Sequence, residues 1–168
     1  GIDDLDGYTA CFTYEGRSSQ AVRRLKYSRV TNLAKPMSKA VAERARELKF
    51  SDYLVVPVPI HRARRCIRGF NQSELLTEGF PQAQVSYSCL KRIRYTKPQV
   101  KVTAAKRRTN LQGAFRATGL VRGKHILLVD DVATTGGTAI QCAKALKAAG
   151  AIRVTLLTYC ASDSLGDS

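Results

Sequence analysis

The sequence predicts an α/β protein built on an open, mainly parallel sheet with helices on both faces. Three short apolar runs, at residues 53–58, 126–129 and 154–158, lack the alternation of half-exposed strands and read as strands buried on both sides. Between the second and third, residues 138–149 repeat apolar side chains at Ile140, Ala143 and Leu146, place Lys144 and Lys147 elsewhere on the helix, and stop at Gly150. Strand, helix, strand in that order is a parallel βαβ unit, whose right-handed crossover needs a sheet covered on both faces. At 168 residues the chain suits one globular unit around one core.

The remaining elements follow in chain order. Residues 1–7 are acidic, end in glycine and read as a loose terminus, and residues 8–14 form a short aromatic strand. Helical spacing recurs over residues 19–27 (Ala21, Val22, Leu25) and 36–48 (Met37, Ala40, Val41, Ala45, Leu48), with Pro36 suited to a helix start. After the strand at 53–58, a helix over 71–78 makes the next crossover. The basic stretch 91–108 has weak periodicity and reads as a mobile loop. No internal repeat or low-complexity tract interrupts this order.

Lysine and arginine number 28 against 13 acids, giving +15 and a pI near 10, which directs the chain toward phosphate-bearing partners. Four arginines crowd residues 62–68 and eight cations fall within 91–108. No apolar run approaches the ~20 residues that span a bilayer, and no charged-then-apolar leader opens the chain, so a soluble, cytoplasmic protein is expected. The chain opens at Gly1 and not at methionine, which leaves the segment upstream open. Cys11, Cys66, Cys89, Cys142 and Cys160 are odd in number and scattered without a C-x-x-C pair, so neither disulfides nor zinc are expected. His61 and His125 are too far apart in sequence for a metal or triad argument.

The strongest chemical signal is Ile126-Leu-Leu-Val-Asp130-Asp131-Val-Ala133-Thr134-Thr135-Gly136-Gly137-Thr138, which runs directly into a helix. A buried strand delivers two carboxylates to its carboxyl end, where open α/β sheets hold ligands, and a Thr/Gly turn follows. Small residues let backbone N–H groups reach a phosphate, the threonines add donors, and the helix dipole favours an anion. The carboxylates cannot hold that phosphate themselves and should face neutral hydroxyls, a Mg²⁺ ion, or both. A phosphorylated sugar satisfies every part. No G-x-G-x-x-G is present, and Gly123-Lys124 is followed by His125 where a P-loop needs Ser or Thr.

Residues 129–138 resemble the phosphoribosyl pyrophosphate (PRPP) signature of type I phosphoribosyltransferases. Pro57-Val-Pro59-Ile-His61, Arg64, Arg68-Gly69-Phe-Asn71-Gln72, then Thr96-Lys97-Pro-Gln99, Arg107, Arg108, Asn110 and Ala114-Phe115 resemble the ComF family within that superfamily. The resemblance implies a type I phosphoribosyltransferase-like fold with a small N-terminal hood, residues 1–50, on a core of 51–168. It implies that Asp130 and Asp131 hold the ribose hydroxyls and Mg²⁺, the latter through water, while Ala133, Thr134, Thr135, Gly136, Gly137 and Thr138 wrap the 5-phosphate. The loop after the first core strand is expected to serve pyrophosphate: Pro59 and Gly69 shape it, Arg64 and Arg68 reach phosphate oxygens, and His61 adds a donor. Residues 91–108 resemble the loop that closes over PRPP, with Arg92, Arg94 and Lys97 as ligands.

The reaction so implied is Mg²⁺-dependent displacement of pyrophosphate from C1 of PRPP by a nitrogen acceptor that the sequence does not name. ComF proteins commonly carry a four-cysteine zinc ribbon, and no residues here could form one. The same resemblance implies a role in natural transformation beside DNA-uptake proteins at the inner membrane. The second reading is accordingly a PRPP-regulated single-stranded DNA-binding protein without catalysis, for which the charge and Tyr27, Phe70, Tyr87 and Tyr95 speak.

Overall fold

The computed structural model describes residues 4–27, 31–50, 52–94 and 111–162. Its elements run β1 (Gly7–Thr13), α1 (Gly16–Tyr27), α2 (Ala34–Arg46), β2 (Leu54–Pro57), α3 (Arg62–Arg68), α4 (Gln72–Leu75), β3 (Leu90–Arg92), β4 (Phe115–Ala117), β5 (His125–Ala133), α5 (Gly137–Ala148) and β6 (Arg153–Ala161). Four strands form the main sheet in the order β1-β6-β5-β2, every neighbouring pair parallel, and β3 pairs antiparallel with β4. The expected α/β architecture is the observed one. Among the described residues no helix is long and apolar enough to cross a membrane.

The apolar strands lack alternation because both of their faces are covered. Val56, Ile126, Leu128, Val154 and Leu156 pack with Cys142, Ala143 and Leu146 of α5. Their sequence neighbours Val55, Leu127 and Leu157 pack on the opposite face with Val22 and Leu25 of α1 and Met37 and Val41 of α2. Each side chain removed from water contributes roughly 1.5–3 kcal/mol, so this two-sided burial supplies most of the driving force for the fold.

Several elements depart from expectation, each for a physical reason. β5 continues past Val129 to Ala133, because β6 supplies partners along the added length: Asp130 opposite Thr158, Val132 opposite Cys160, Ala133 opposite Ala161. α2 begins at Ala34, so Pro36 sits in the first turn, where a missing N–H leaves no helical bond unmade. The helix expected over 71–78 ends at Leu75, after which Thr77 and Phe80 take i→i+3 bonds to Glu74 and Thr77. Residues 62–68 form a helix, not a loop, and the stretch expected as a loop from residue 91 opens inside β3. The N-terminal fifty residues, expected as a hood packed on the core of one globular unit, supply an edge strand of the sheet and helices α1 and α2 of one face.

The turn after α4 lies hard against α2. A Cβ on Gly79 would stand 2.6 Å from the backbone oxygen of Ser38 and 3.1 Å from the Ala42 methyl. Gly79→Ala is therefore expected to destabilise the protein by about 2 kcal/mol, the cost of forcing backbone apart in a packed region. Urea unfolding of the two proteins at equal m-value checks it.

β2 and β5 are neighbours whose outgoing connections leave toward opposite faces. The chain after α4 buries Leu76 and Phe80 on the side of α1 and α2, whereas α5 covers the other side. A parting of this kind at the carboxyl ends of parallel strands opens a crevice, and that is where ligands of open α/β sheets sit.

Candidate functional site

The turn from β5 into α5 is shaped by Gly136, which adopts φ +69° at the N-cap of α5, a left-handed conformation open to glycine at no steric penalty. The end of β6 braces the turn: Ser162 N donates to the Ala133 carbonyl (3.0 Å) and Ser162 Oγ to that of Thr134 (3.0 Å). Residues 133–139, Asp130, Val132, Leu111 and Leu156 line a cavity of about 180 Å³ at the N-terminus of this twelve-residue helix. Every residue expected to wrap the phosphate, Ala133 to Thr138, borders this one cavity, and Asp130 borders it too.

The two acids part company. Adjacent residues of a strand point to opposite faces, and β5 is still strand at both positions. Asp130 accepts from Ser73 Oγ (2.8 Å) and from the backbone N–H of Asp131 (2.9 Å) through one oxygen, Oδ1. Asp131 is 1% exposed, pairs through Oδ2 with Lys26 Nζ of α1 (2.9 Å), and accepts the Val132 N–H on Oδ1 (2.8 Å). The expectation that both carboxylates face one ligand is not what the geometry provides: one lines the cavity and the other is neutralised on the far face. Burial, and next the charge of Asp131, push the Asp130 carboxyl up to about 7, against the pull of Lys26 and the two hydrogen bonds.

Ser73 and Lys26 are the residues that sequence reasoning missed. Ser73 is held by Asn71, which is 2% exposed and caps α4: its Oδ1 accepts the Ser73 N–H and its Nδ2 donates to the Val58 carbonyl, both at 3.0 Å. One capping asparagine thus fastens α4 to the end of β2 and aims Ser73 at Asp130.

The residues expected to serve pyrophosphate lie around α3. His61 is its N-cap, with Nδ1 accepting the Ala63 N–H (3.2 Å), and Gly69 closes it at φ +87° with its N–H on the Arg65 carbonyl (2.7 Å). Arg68 donates to Gln72 Oε1 (2.6 Å), and Arg64 lies one turn earlier on the same side of the helix. Pro59 and His61 border a second cavity, of about 450 Å³, whereas Arg64 and Arg68 do not. In β3, half-buried Arg92 lies over the Phe115 ring (5.5 Å) and borders that second cavity; Arg94 is exposed, and Lys97 lies outside the described residues.

Burial raises the cysteine thiols near the site: Cys160 up to about 12, assisted by the charge of Asp131, and Cys142 well above its usual range, assisted by Asp130. They are neutral packing groups. Cys66 alone among the five is exposed. No cluster of three or more His, Cys, Asp or Glu side chains suited to a metal occurs among the described residues.

A parallel-sheet crevice, an acid at the strand end and a glycine-shaped turn at a helix N-terminus fit the phosphoribosyltransferase class. The chain belongs to the phosphoribosyl transferase domain family, whose model matches residues 33–165. It is 34% identical over 151 residues to the DNA utilization protein YhgH of Escherichia coli strain K12, covering 84% of this chain and 66% of that protein. It is 31% identical over 148 residues to competence protein ComFC of Streptococcus pneumoniae, covering 86% of this chain and 63% of that one. These relatives bear out the resemblance to the ComF family, and the chain spans just under two thirds of their length. Among solved structures, a glutamine PRPP amidotransferase from B. subtilis is similar at a TM-score of 0.49 and 20% identity, over 76% of this chain and 26% of that one.

Proposed function

We propose that the protein binds PRPP in the crevice between β2 and β5 and transfers its phosphoribosyl group, or is regulated by holding it, in the handling of DNA. The observation that carries the reading is the single cavity bordered by Asp130 and by every residue of the 133–138 turn. The 5-phosphate sits on the backbone N–H groups at the start of α5, where the helix dipole favours an anion. Asp130, once ionised, accepts from ribose hydroxyls. Ser73 holds the Asp130 carboxylate in place through Oδ1, leaving Oδ2 for the ligand.

A Mg²⁺ ion shared by both acids does not fit the geometry, because Asp131 is turned away and neutralised by Lys26. Of the two acids, Asp130 would hold an ion carried by the ligand, and Mg²⁺ bound there would supply charge stabilisation to the departing pyrophosphate. From the turn at Val58 to His61 and from α3, His61, Arg64 and Arg68 approach that pyrophosphate as the arginine-rich side of the crevice. The names of the relatives, a DNA utilization protein and a competence protein, support DNA uptake as the setting, with single-stranded DNA as a further partner.

Calorimetric titration of PRPP with and without Mg²⁺ tests the site. Magnesium-dependent binding is expected, with a loss of at least tenfold in Gly136→Val, since a β-branched residue cannot hold φ +69° and the cradle must reshape. Equal PRPP affinity in that variant would remove the cradle from the site.

A further inference from the structure

The two edges of the main sheet are treated differently by the chain. At one edge β2 is closed from outside: Val85 bridges Val55, and Ser86 N donates to the Val55 carbonyl (2.9 Å). At the other edge β1 has no strand beyond it among the described residues. Just outside its two ends, Asp6 N and Tyr14 N donate to β6, on the Val154 and Ala161 carbonyls (2.8 and 2.6 Å). Backbone groups alternate in direction along a strand, so the even-numbered residues face β6, whereas Gly7, Thr9 and Cys11 turn N–H and C=O outward. No described residue bonds the backbone of these three. α2 reaches the strand over one face and through side chains, Arg44 Nε to Thr9 Oγ1 (3.0 Å) and Cys11 Sγ to the Ala40 carbonyl (3.6 Å), which leaves the edge open.

An open edge is a template for further pairing, and proteins guard such edges with lysine, proline or a covering segment. Gly7-Tyr-Thr-Ala-Cys-Phe-Thr13 carries neither a charge nor a proline. The occupant it suits is a second copy of itself. Copies of a chain with net charge +15 repel one another, and contact is least opposed along an uncharged strand. Laid antiparallel on its own copy about a two-fold axis at Ala10, β1 is self-complementary: Thr9 exchanges backbone bonds with the partner's Cys11, and Gly7 faces the partner's Thr13. On the axis the small Ala10 meets its own copy. Phe12, 47% exposed with its ring against Tyr159, comes across from the partner's Tyr8 as an aromatic cross-strand pair. Both flanks are balanced in charge, since Asp4 and Asp6 are paired with Lys144 and Lys147 and come beside the partner's Glu15 and the partner's Arg17.

We propose that the β1 edge is a self-association surface on which two copies pair β1 with β1, antiparallel about Ala10, and join their sheets into one. β6 separates β1 from β5, so the crevice between β2 and β5 stays open in the pair. The inference is independent of what that crevice binds. A contact made mainly by one strand from each copy is small, and the dimer is accordingly weak and reversible.

Sedimentation velocity over a concentration series is expected to show a monomer–dimer equilibrium, with the Gly7, Thr9 and Cys11 amides gaining protection from hydrogen exchange as concentration rises. Thr9→Pro removes an outward N–H that the fold does not use and should weaken dimerisation by roughly tenfold or more, as expected for a hydrogen bond lost from each copy. Phe12→Lys places a charge on the edge and should weaken it as well. Urea midpoints close to the parent's show that the variants fold, and Phe12→Lys alone decides if Thr9→Pro does not. The register is read by oxidation in a background where the exposed Cys66 is replaced, Cys66→Ser. Ala10→Cys should then cross-link two copies across the axis, whereas Thr13→Cys, roughly 20 Å from its own copy, should not. A protein monomeric at every concentration overturns the proposal, whether those amides exchange freely or are held by another segment of the chain. A dimer that both edge variants leave intact, or cross-linking at position 13 and not at 10, overturns it too.

Discussion

Lys26→Met lowers the free energy of unfolding by about 3 kcal/mol, and adding Asp131→Asn restores most of that loss. The physical basis is the burial of the pair. Asp131 sits at 1% exposure under α1 with Lys26 Nζ 2.9 Å from Oδ2, and its other oxygen is committed to the Val132 N–H. Methionine keeps the length and the apolar stem of lysine while the positive charge is lost. What remains is a carboxylate in the interior with no counter-charge. Removing one partner of a buried pair typically costs about 3–5 kcal/mol, and the lower end applies because Lys26 keeps 20% of its side chain in contact with water. Neutralising Asp131 as well removes the stranded charge and leaves an amide that can still accept the Val132 N–H. The measurement is a double-mutant cycle by chemical denaturation. A coupling energy below about 0.5 kcal/mol, the scatter of non-interacting sites, would reduce the pair to a surface contact.

That pair marks the boundary of what the sequence made legible. The three inner strands were readable because burial on both faces removes polar positions, and α5 because its apolar stripe and terminal Gly150 leave one reading. The phosphate turn was readable as a contiguous motif. Lys26 was not: it is remote in sequence from Asp131, and one cation in an arginine- and lysine-rich amphipathic helix looks the same whether it faces water or a buried acid. α3 escaped because Arg62-Ala-Arg-Arg-Cys-Ile-Arg68 has no apolar period; it is a short helix held at its ends by the His61 and Gly69 caps. β3 escaped because its three residues are strand only by virtue of β4, more than twenty positions later. The divergence of the two acids was readable in principle, since neighbouring strand residues face opposite ways. Ending the strand at Val129 hides it, because that leaves Asp130 and Asp131 together in the turn, whereas β5 runs on through both to Ala133, with Asp130, Val132 and Ala133 paired to β6.

Asp130→Asn is expected to make the protein more stable at pH 8 and to weaken its hold on PRPP. Burial and the neighbouring charge of Asp131 raise the Asp130 carboxyl from the ordinary 3.8 to about 7 in the folded chain. The folded state therefore binds a proton that the unfolded state has released, and the sign follows by linkage. Below about pH 4 the group is protonated in both states and contributes nothing; as pH rises toward 7 stability declines; above 7 the full penalty of an ionised acid in that place is present. A carboxyl raised that far carries a penalty of at most about 4 kcal/mol, and the partial exposure of the group together with its interaction with Asp131 brings the expected gain in Asp130→Asn to about 2 kcal/mol at pH 8 and near zero at pH 4. The asparagine oxygen still accepts from Ser73 Oγ, so the fold keeps its contact. What the variant loses is the ionised acceptor aimed into the cavity, and PRPP affinity is expected to fall on the order of a hundredfold with it, as when a charged partner leaves a hydrogen-bonded site. In the parent protein the same logic predicts that PRPP binding strengthens as pH rises through 7. A carboxylate held where folding disfavours its charge, beside a cavity, is a candidate for a group retained for a ligand. Thermal unfolding and PRPP calorimetry across pH 5 to 8 decide the matter together: an unstabilised Asp130→Asn variant with parental PRPP affinity at every pH would leave Asp130 as structural polarity and move the ligand elsewhere.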